Sequence, residues 1–494
     1  MKYDVLIIGA GLGGLVCAHI LSRAGLRVKV LEQGAQIGGC IQSYRRGAWD
    51  YDTGFHYVGG LGEGQSLHRV FGNLGLLSLP WRRMDTDFEH IRIGGRDFRL
   101  SQGFDHFVHD LSAEFPKEKE GIRRYADLLR NTVSQQFSLL HPQGEAASPF
   151  DLFERNAWAY LTETFRDPLL IDVLSGASLK MELRKETLPL FTFCHGNGNY
   201  IESSWRLKGG GGQIAQTLAE GIRRQGGEVT CRATVDELVE QDGRITLVRC
   251  ANGEAYEATT VISDLHPTQT CALVKRSRCI KNVYRHRMER LQNTFGMLTV
   301  SLLLKPESLP YFNHNRYVYR RPDVWDMYRL GQPVDGVMIS ARVPEDDGRY
   351  ARQVDLLTPV AWEECARWAE TSVGHRGDDY LTWKERKADD CIALAEQSLP
   401  GLHDLIDRRY ISTPLTYRDY TRAPQGTAYG LRKDAGNALS TLLSVRTPVP
   451  NLLLTGQNLM LHGVCGVTMT ALFTCAEILG REWMWRYVGG EEIR

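Results

Sequence analysis

The chain has 494 residues, with 59 Lys plus Arg against 59 Asp plus Glu, and so a formal net charge of zero. That length predicts two or three domains with ample core, and the balanced charge excludes the basic field that nucleic-acid binding needs. No apolar run reaches the ~18–20 residues that span a bilayer, and Val5 to Ile8 is too short for the apolar core of a secretion signal. The 11 cysteines stand singly, without CxxC or Cys/His metal spacing, which predicts reduced thiols in a cytoplasmic protein and no metal site. The unusual number is 49 glycines, and they cluster.

Residues 4–10 (DVLIIGA) form an apolar run of the kind buried on both faces of a parallel sheet. Gly9, Gly11 and Gly14 follow in the pattern GxGxxG, then a helix-compatible stretch at 15–24 and a second strand pattern at 27–32 ending on Glu32. In such a βαβ unit Gly9 allows a tight turn, Gly11 admits a pyrophosphate and Gly14 lets helix and strand pack closely. The helix N-terminus offers free N–H groups to phosphate, and a carboxylate at the second strand end accepts ribose hydroxyls. Gly38 and Gly39 come soon after Glu32. A second glycine pair at that place lets the backbone fold over the pyrophosphate of an extended FAD, so the dinucleotide expected is FAD.

Further along, 104–115 and 118–137 read as helices, followed by a Pro/Gly-containing loop at 142–149. Four glycines at 209–212 open an amphipathic helix that ends at Gly226-Gly227. Strand patterns at 228–231, 235–241, 244–251 and 255–262 are broken by the hairpin signals Asp242-Gly243 and Asn252-Gly253. The run VISD at 261–264 has the texture of a strand returning to the first sheet. A charged helical pattern covers 359–396, NLLLT at 451–455 reads as a buried strand, and a helix is expected from Gly466 to Leu479.

Six separated segments share one pattern: GAGLGGL at 9–15, the acid and glycine pair at 32–39, DTGFHYVGG at 52–60, YIESSWRLKGGGGQI at 200–214, TPLTYRDYTRAPQGTAYGL at 413–431 and LLLTGQNLMLHGVCGV at 452–467. Together they resemble the flavoprotein family of phytoene desaturases, carotenoid isomerases and all-trans-retinol saturases, across the whole chain and in the right order. The resemblance implies an α/β fold: a Rossmann-type FAD-binding domain, in the layout shared by amine oxidases and GDP-dissociation inhibitors, interleaved with an α+β substrate domain. The expected FAD-binding pieces are 1–65, 200–270 and 441–494, and the expected substrate-domain pieces are 66–199 and 271–440. It extends the flavin contacts to Leu12, Gly13, Gln33, Cys40, Val235, Gly456 and Gln457, and to Gly466, Val467 and Thr468 at the flavin ring. Two positions depart from the pattern. Cys40 stands where the family commonly carries Arg, with Arg45 and Arg46 as nearby substitutes, and Gln457-Asn458 stands where many members place an acid.

The resemblance further implies an FAD-dependent oxidoreductase that saturates, desaturates or isomerises C=C or CH–CH bonds in a hydrophobic polyene or lipid substrate. NAD(P)H, a quinone or oxygen is the expected electron partner. His56 and Tyr429 are the candidate catalytic residues, as proton donors or orienting groups. His195, His462, Tyr417 and Tyr420 have similar but weaker claims, and Cys465 is a candidate flavin contact. A lipid substrate implies peripheral membrane contact, for which the aromatic stretch 150–170 is the candidate, as an interfacial helix or, more simply, a core helix. Two other readings compete: an amine-oxidase-like enzyme, disfavoured because Met460 to Gly463 supplies no paired aromatic, and a non-catalytic prenyl- or lipid-binding protein, disfavoured because the fingerprint is intact.

Overall fold

A computed structural model describes residues 2–142, 150–328, 330–331 and 333–489. Residues 143–149 of the expected Pro/Gly loop lie outside the described residues.

The strand Lys2–Ile8 lies at the centre of a seven-stranded sheet. Val28–Leu31 and Ala255–Ser263 flank it, both parallel to it. Glu228–Thr230 adds in parallel beyond Val28–Leu31, and Leu452–Leu454 beyond Ala255–Ser263. Because all five run the same way, Ile8, Leu31, Thr230, Ser263 and Leu454 finish along one edge, where a doubly wound sheet places its ligand. The apolar runs predicted this arrangement: helix Leu12–Arg23 is buried along almost its whole length on one face of the sheet, and a second apolar cluster that includes Leu6, Ile8, Leu238 and Val248 covers the other. Val235–Gln241 and Arg244–Cys250 pair antiparallel through Asp242 (φ 49°) and Gly243 (φ 77°), the left-handed pair that a two-residue hairpin needs.

Asn451 fastens this hairpin layer to the parallel strands. It is 3% exposed. Its Oδ1 accepts the Ile245 N–H at 2.8 Å, and its Nδ2 donates to Ile245 O at 2.9 Å and Thr259 O at 3.1 Å.

A second seven-stranded sheet runs Ile406–Ser412, Gly296–Leu304, Gln353–Val360, Gly336–Ala341, Asn315–Tyr319, Asp87–Ile93 and Arg96–Ser101 in spatial order. Its strands Gly296–Leu304, Gly336–Ala341 and Gln353–Val360 are buried along almost their whole length because both faces are covered. Leu298, Val300, Ile339 and Leu356 pack with Trp383, Cys391 and Ile392 of helix Asp378–Ala395. Met297, Tyr317, Met338 and Leu357 pack with Leu190 and Phe193 of helix Leu190–Glu202.

One expectation needs correction, and one is decided in favour of its simpler alternative. The helical pattern at 359–396 is helical only from Asp378 onward. Its first part ends a strand and continues through short 3-10 turns, and Gly374 (φ 82°) and Gly377 (φ 85°) set the break before the helix. The stretch 150–170 is not an interfacial helix. It folds as two short helices, Phe150–Glu154 and Ala157–Thr164, with Phe153, Tyr160, Leu161 and Phe165 buried. The Phe153 ring centre lies 4.1 Å from that of Phe191, and Trp158 packs edge-on against Trp325. These aromatics belong to the core and offer no face to lipid. Among the described residues, no helix is long and apolar enough to cross a membrane.

Asn451→Ala leaves a buried N–H and two carbonyls without their partner, at about 1–3 kcal/mol each for groups that find no substitute. Thermal and denaturant unfolding should therefore show a loss of about 2–4 kcal/mol. An unchanged midpoint would show that Asn451 does not fasten the two layers.

Candidate flavin and substrate site

A cavity of about 750 Å³ opens at the carboxyl edge of the parallel strands. One part is lined by Gly9, Gly11, Leu12, Gly13, Glu32 and Gln33, with Gly38, Gly39, Cys40 and Val235 beside them. Another part is lined by Tyr57, Lys180, Tyr200, Tyr417, Tyr429 and His462.

The two glycine sets meet in space. Gly38 donates its N–H to Ala10 O at 2.8 Å and forms a parallel bridge with Gly11. A Cβ on Gly39 would stand 3.3 Å from the Gly11 Cα, and Gly38 holds φ at 114°. Glu32 is fixed from both sides: Oε2 accepts the Ala10 N–H at 2.8 Å and Oε1 accepts the Gly34 N–H at 2.6 Å. Each carboxylate oxygen keeps a further lone pair for a ribose hydroxyl.

Asp264, at the end of strand Ala255–Ser263, is the residue that sequence reasoning missed here. Its Oδ2 accepts the Gly14 N–H at 3.0 Å. A Cβ on Gly11 would stand 2.6 Å from Oδ2 and one on Gly13 2.6 Å from Oδ1, and a Cβ on Gly456 would also collide with the carboxylate. A half-buried carboxyl group thus sits in a glycine cradle against a helix N-terminus, where a pyrophosphate would find the same donors. Burial raises the Asp264 pKa to about 7, with the Gly14 N–H opposing and Glu32 adding repulsion. The only sequence signal was an acid ending a second predicted strand.

The helix at the carboxyl end runs Gly463–Leu479, with His462 as its N-cap. It starts three residues before the expected Gly466, because Gly463 (φ 73°) makes the turn into it. Gly463, Val464 and Val467 line the cavity. Gly466 packs against Leu461, where a Cβ would stand 2.5 Å from the Leu461 Cβ, and Thr468 is fully buried in the helix. These two residues, with Gly14 and Gly456, shape the site from behind rather than line it. Arg45 and Arg46 do line the cavity alongside Cys40, as does Gln457. Asn458 Oδ1 accepts the Leu431 N–H at 3.1 Å.

Of the candidate catalytic residues, His56 and Tyr429 both line the cavity. Burial pushes the His56 pKa down to about 4, so its ring is neutral near pH 7. Its Nδ1 lies 3.9 Å from Asp355 Oδ2, and its Nε2 has no hydrogen-bond partner. The Tyr429 hydroxyl donates to Leu179 O at 2.6 Å. Its ring centre lies 4.5 Å from that of His462, whose Nε2 donates to Lys180 O at 3.0 Å. Tyr417 bonds Thr53 O at 2.9 Å and the Thr299 hydroxyl at 2.8 Å. Tyr420 is 60% exposed. His195 is buried against Asn199 away from the cavity, and Cys465 donates to Gln136 Oε1. Met460 to Gly463 indeed contributes no aromatic pair. The paired rings come instead from Tyr57 and Tyr200, with centres 4.4 Å apart.

A parallel sheet with a glycine cradle, a ribose-ready acid and a second sheet above it defines an FAD-binding oxidoreductase of the Rossmann type. Residues 12–267, just over half the chain, match the family described as flavin containing amine oxidoreductase, and the chain belongs to it. It is 26% identical to human all-trans-retinol 13,14-reductase over 97% of this chain and 86% of that one. It is 25% identical to the chloroplastic prolycopene isomerase of Arabidopsis thaliana over 87% of this chain and 74% of that one. In fold it resembles a putrescine oxidase (TM-score 0.65, 17% identity, 97% of this chain and 99% of that one) and an oxidoreductase from Methanosarcina mazei (TM-score 0.63, 19% identity, 96% and 99%).

Gly11→Val places a branched side chain in the cradle, so the variant should purify colourless with an unchanged far-ultraviolet dichroism spectrum. A yellow Gly11→Val protein would displace the cradle from its role. Asp264 makes a second, pH-dependent expectation. With its folded pKa raised above the ordinary carboxyl value, it is protonated below about 7 and charged above it. Its contribution to folded stability is therefore lost as pH rises through that window. The charged form also repels a pyrophosphate, so FAD affinity of the apoprotein should weaken between about pH 6 and 8. Asp264→Asn should flatten that slope. Equal slopes in both proteins, read by flavin fluorescence, would contradict it.

Proposed function

We propose that the chain acts on C=C or CH–CH bonds of an elongated polyene isoprenoid, saturating, desaturating or isomerising them. The observation that carries this reading is the continuity of one cavity from the glycine cradle to the part walled by Tyr57, Tyr200, Tyr417 and Tyr429. The retinol reductase and prolycopene isomerase relatives point the same way.

The bound flavin would supply hydride transfer. The glycine cradle would hold the pyrophosphate, Glu32 the ribose, and Val235 the adenosine end. The open N–H groups at Gly463 and Val464 would stabilise negative charge at the flavin ring. Tyr417 and Tyr429 have their hydroxyls tied to backbone carbonyls, so they present ring faces to the substrate and exclude water. His56, neutral and incompletely bonded, is placed to orient a group at the inner wall. We assign the pieces 1–65, 200–270 and 441–494 to flavin binding and 66–199 and 271–440 to the substrate domain. Electrons would be exchanged with a partner outside this chain: NAD(P)H as donor for saturation, or a quinone or oxygen as acceptor for desaturation. A polyene drawn from lipid would require transient contact with a bilayer, through a surface other than 150–170, for a protein working in the cytoplasm.

The test is anaerobic incubation of the holoprotein, oxidised and dithionite-reduced, with all-trans-retinol and with a poly-cis carotene. Chromatography should reveal a product with altered absorbance from at least one of them. No turnover of either, with prompt flavin reduction by primary amines, would move the chain to amine oxidation.

A further inference from the structure

Lys180 follows the helix Pro168–Gly176 and faces the cavity. Its Nζ lies 4.5 Å from the ring centre of Tyr200 and 6.0 Å from that of Tyr57. Among the described residues, no acceptor reaches hydrogen-bonding distance of that ammonium and no carboxylate comes within 4 Å. The buried acid whose field reaches Lys180 is Glu89, 0% exposed: Oε1 accepts the Tyr57 hydroxyl at 2.7 Å, Tyr57 in turn meets the Tyr317 hydroxyl at 3.1 Å, and Oε2 has no hydrogen-bond partner and does not reach the ammonium. Leu179, Met338, Leu357, Tyr417 and Tyr429 give this part apolar and aromatic walls, and His462 adds an imidazole that burial keeps neutral. Glu32 and Asp264, the other acids lining the cavity, are engaged at the dinucleotide cradle.

We propose that Lys180, between the rings of Tyr57 and Tyr200, seats a carboxylate head group, so that the ligand of this cavity is an elongated apolar molecule ending in an acid. The proposal rests on the polyene reading above and narrows it. An ammonium has three donors and no acceptor, and a cation withdrawn from water is costly until an anion joins it. An alcohol would fill one donor and leave the charge uncompensated. A carboxylate fills donors and balances charge together, and the flanking rings attract the cation by their faces while excluding water from the pair. Burial lowers the Lys180 pKa to about 8, with Glu89 opposing it only in part, which leaves the ammonium charged at neutral pH with no anion in direct contact.

The experiment compares three probes that share one polyene: all-trans-retinoic acid, its methyl ester and all-trans-retinol. Their binding to the oxidised holoprotein is followed by quenching of protein fluorescence. The acid should bind about tenfold tighter than the ester and the alcohol, the gain expected of a charge-assisted hydrogen bond. Lys180→Met should remove that preference by weakening the acid alone, and Lys180→Arg should keep it. Equal binding of the three probes by the wild-type protein overturns the carboxylate seat and leaves the polyene reading standing, whatever the variants do. Binding of none of the three overturns both. A Lys180→Met protein that folds, holds flavin and still prefers the acid also overturns the seat.

Discussion

The site depends on backbone approaching backbone at one edge of the parallel sheet. A Cβ on Gly14 would collide with Gly9 O, and Gly9 itself turns at φ 99° to bring strand Lys2–Ile8 into helix Leu12–Arg23. Gly38 then reaches Ala10 O and closes the second loop over the first. Ordinary side chains at these points would push helix, strand and loop apart by the width of a methyl group. Glu32 would lose the Ala10 N–H, and Asp264 would lose the Gly14 N–H. The cradle is thus a consequence of close packing, and the acids that serve it are held by the amides that packing leaves free.

Much of this was legible because it is local. The fingerprint, the acid and the glycine pair lie within forty residues, and their chemistry follows from spacing. The Asp242-Gly243 hairpin was legible for the same reason, since its left-handed pair is written in two residues. What spacing does not encode is the arrival of a distant strand. Asp264 meets Gly14 across 250 positions, and nothing around VISD says which partner its carboxylate finds. Lys180 had no signal at all, because its meaning comes from Tyr57, Tyr200 and Glu89 closing around it. The aromatic stretch at 150–170 left two readings open: its composition suits an interface, but Phe191 and Trp325 cover its rings, and the simpler core reading is the one the fold takes. The final helix was displaced by one turn because Gly463 and Gly466 are equally plausible starts on composition, and only the His462 cap and the φ of Gly463 decide between them.

The interleaved chain explains how two sheets share one cavity. The parallel sheet contributes its glycine edge, whereas Met338 and Leu357 come from the second sheet and Tyr417 and Tyr429 from the segment after it. Arg342 ties the sheets' neighbourhoods together, donating to Asp50 O at 2.6 Å and pairing with Asp52 at 3.4 Å. Asp52 in turn accepts the Gly211 N–H at 2.9 Å and the Ser43 hydroxyl at 2.7 Å. These contacts tie the loop that carries the 209–212 glycines, through the small hairpin 43–52, to the second sheet. Shape in the cavity therefore responds to changes in either sheet.

His462 joins the two ends of that cavity. It is the N-cap residue of the final helix, and its Nε2 bonds the carbonyl of Lys180 while its ring packs on Tyr429. Burial holds the ring neutral, with its pKa near 4, so Nε2 keeps the proton it donates to Lys180 O across ordinary pH. A charged ring would add a cation beside the buried ammonium of Lys433, whose charge already opposes protonation of His462. The neutral imidazole instead fixes the Lys180 backbone by a directional bond without adding to the positive field. The backbone of Lys180 is therefore held by the residue that stands at the N-cap of the final helix.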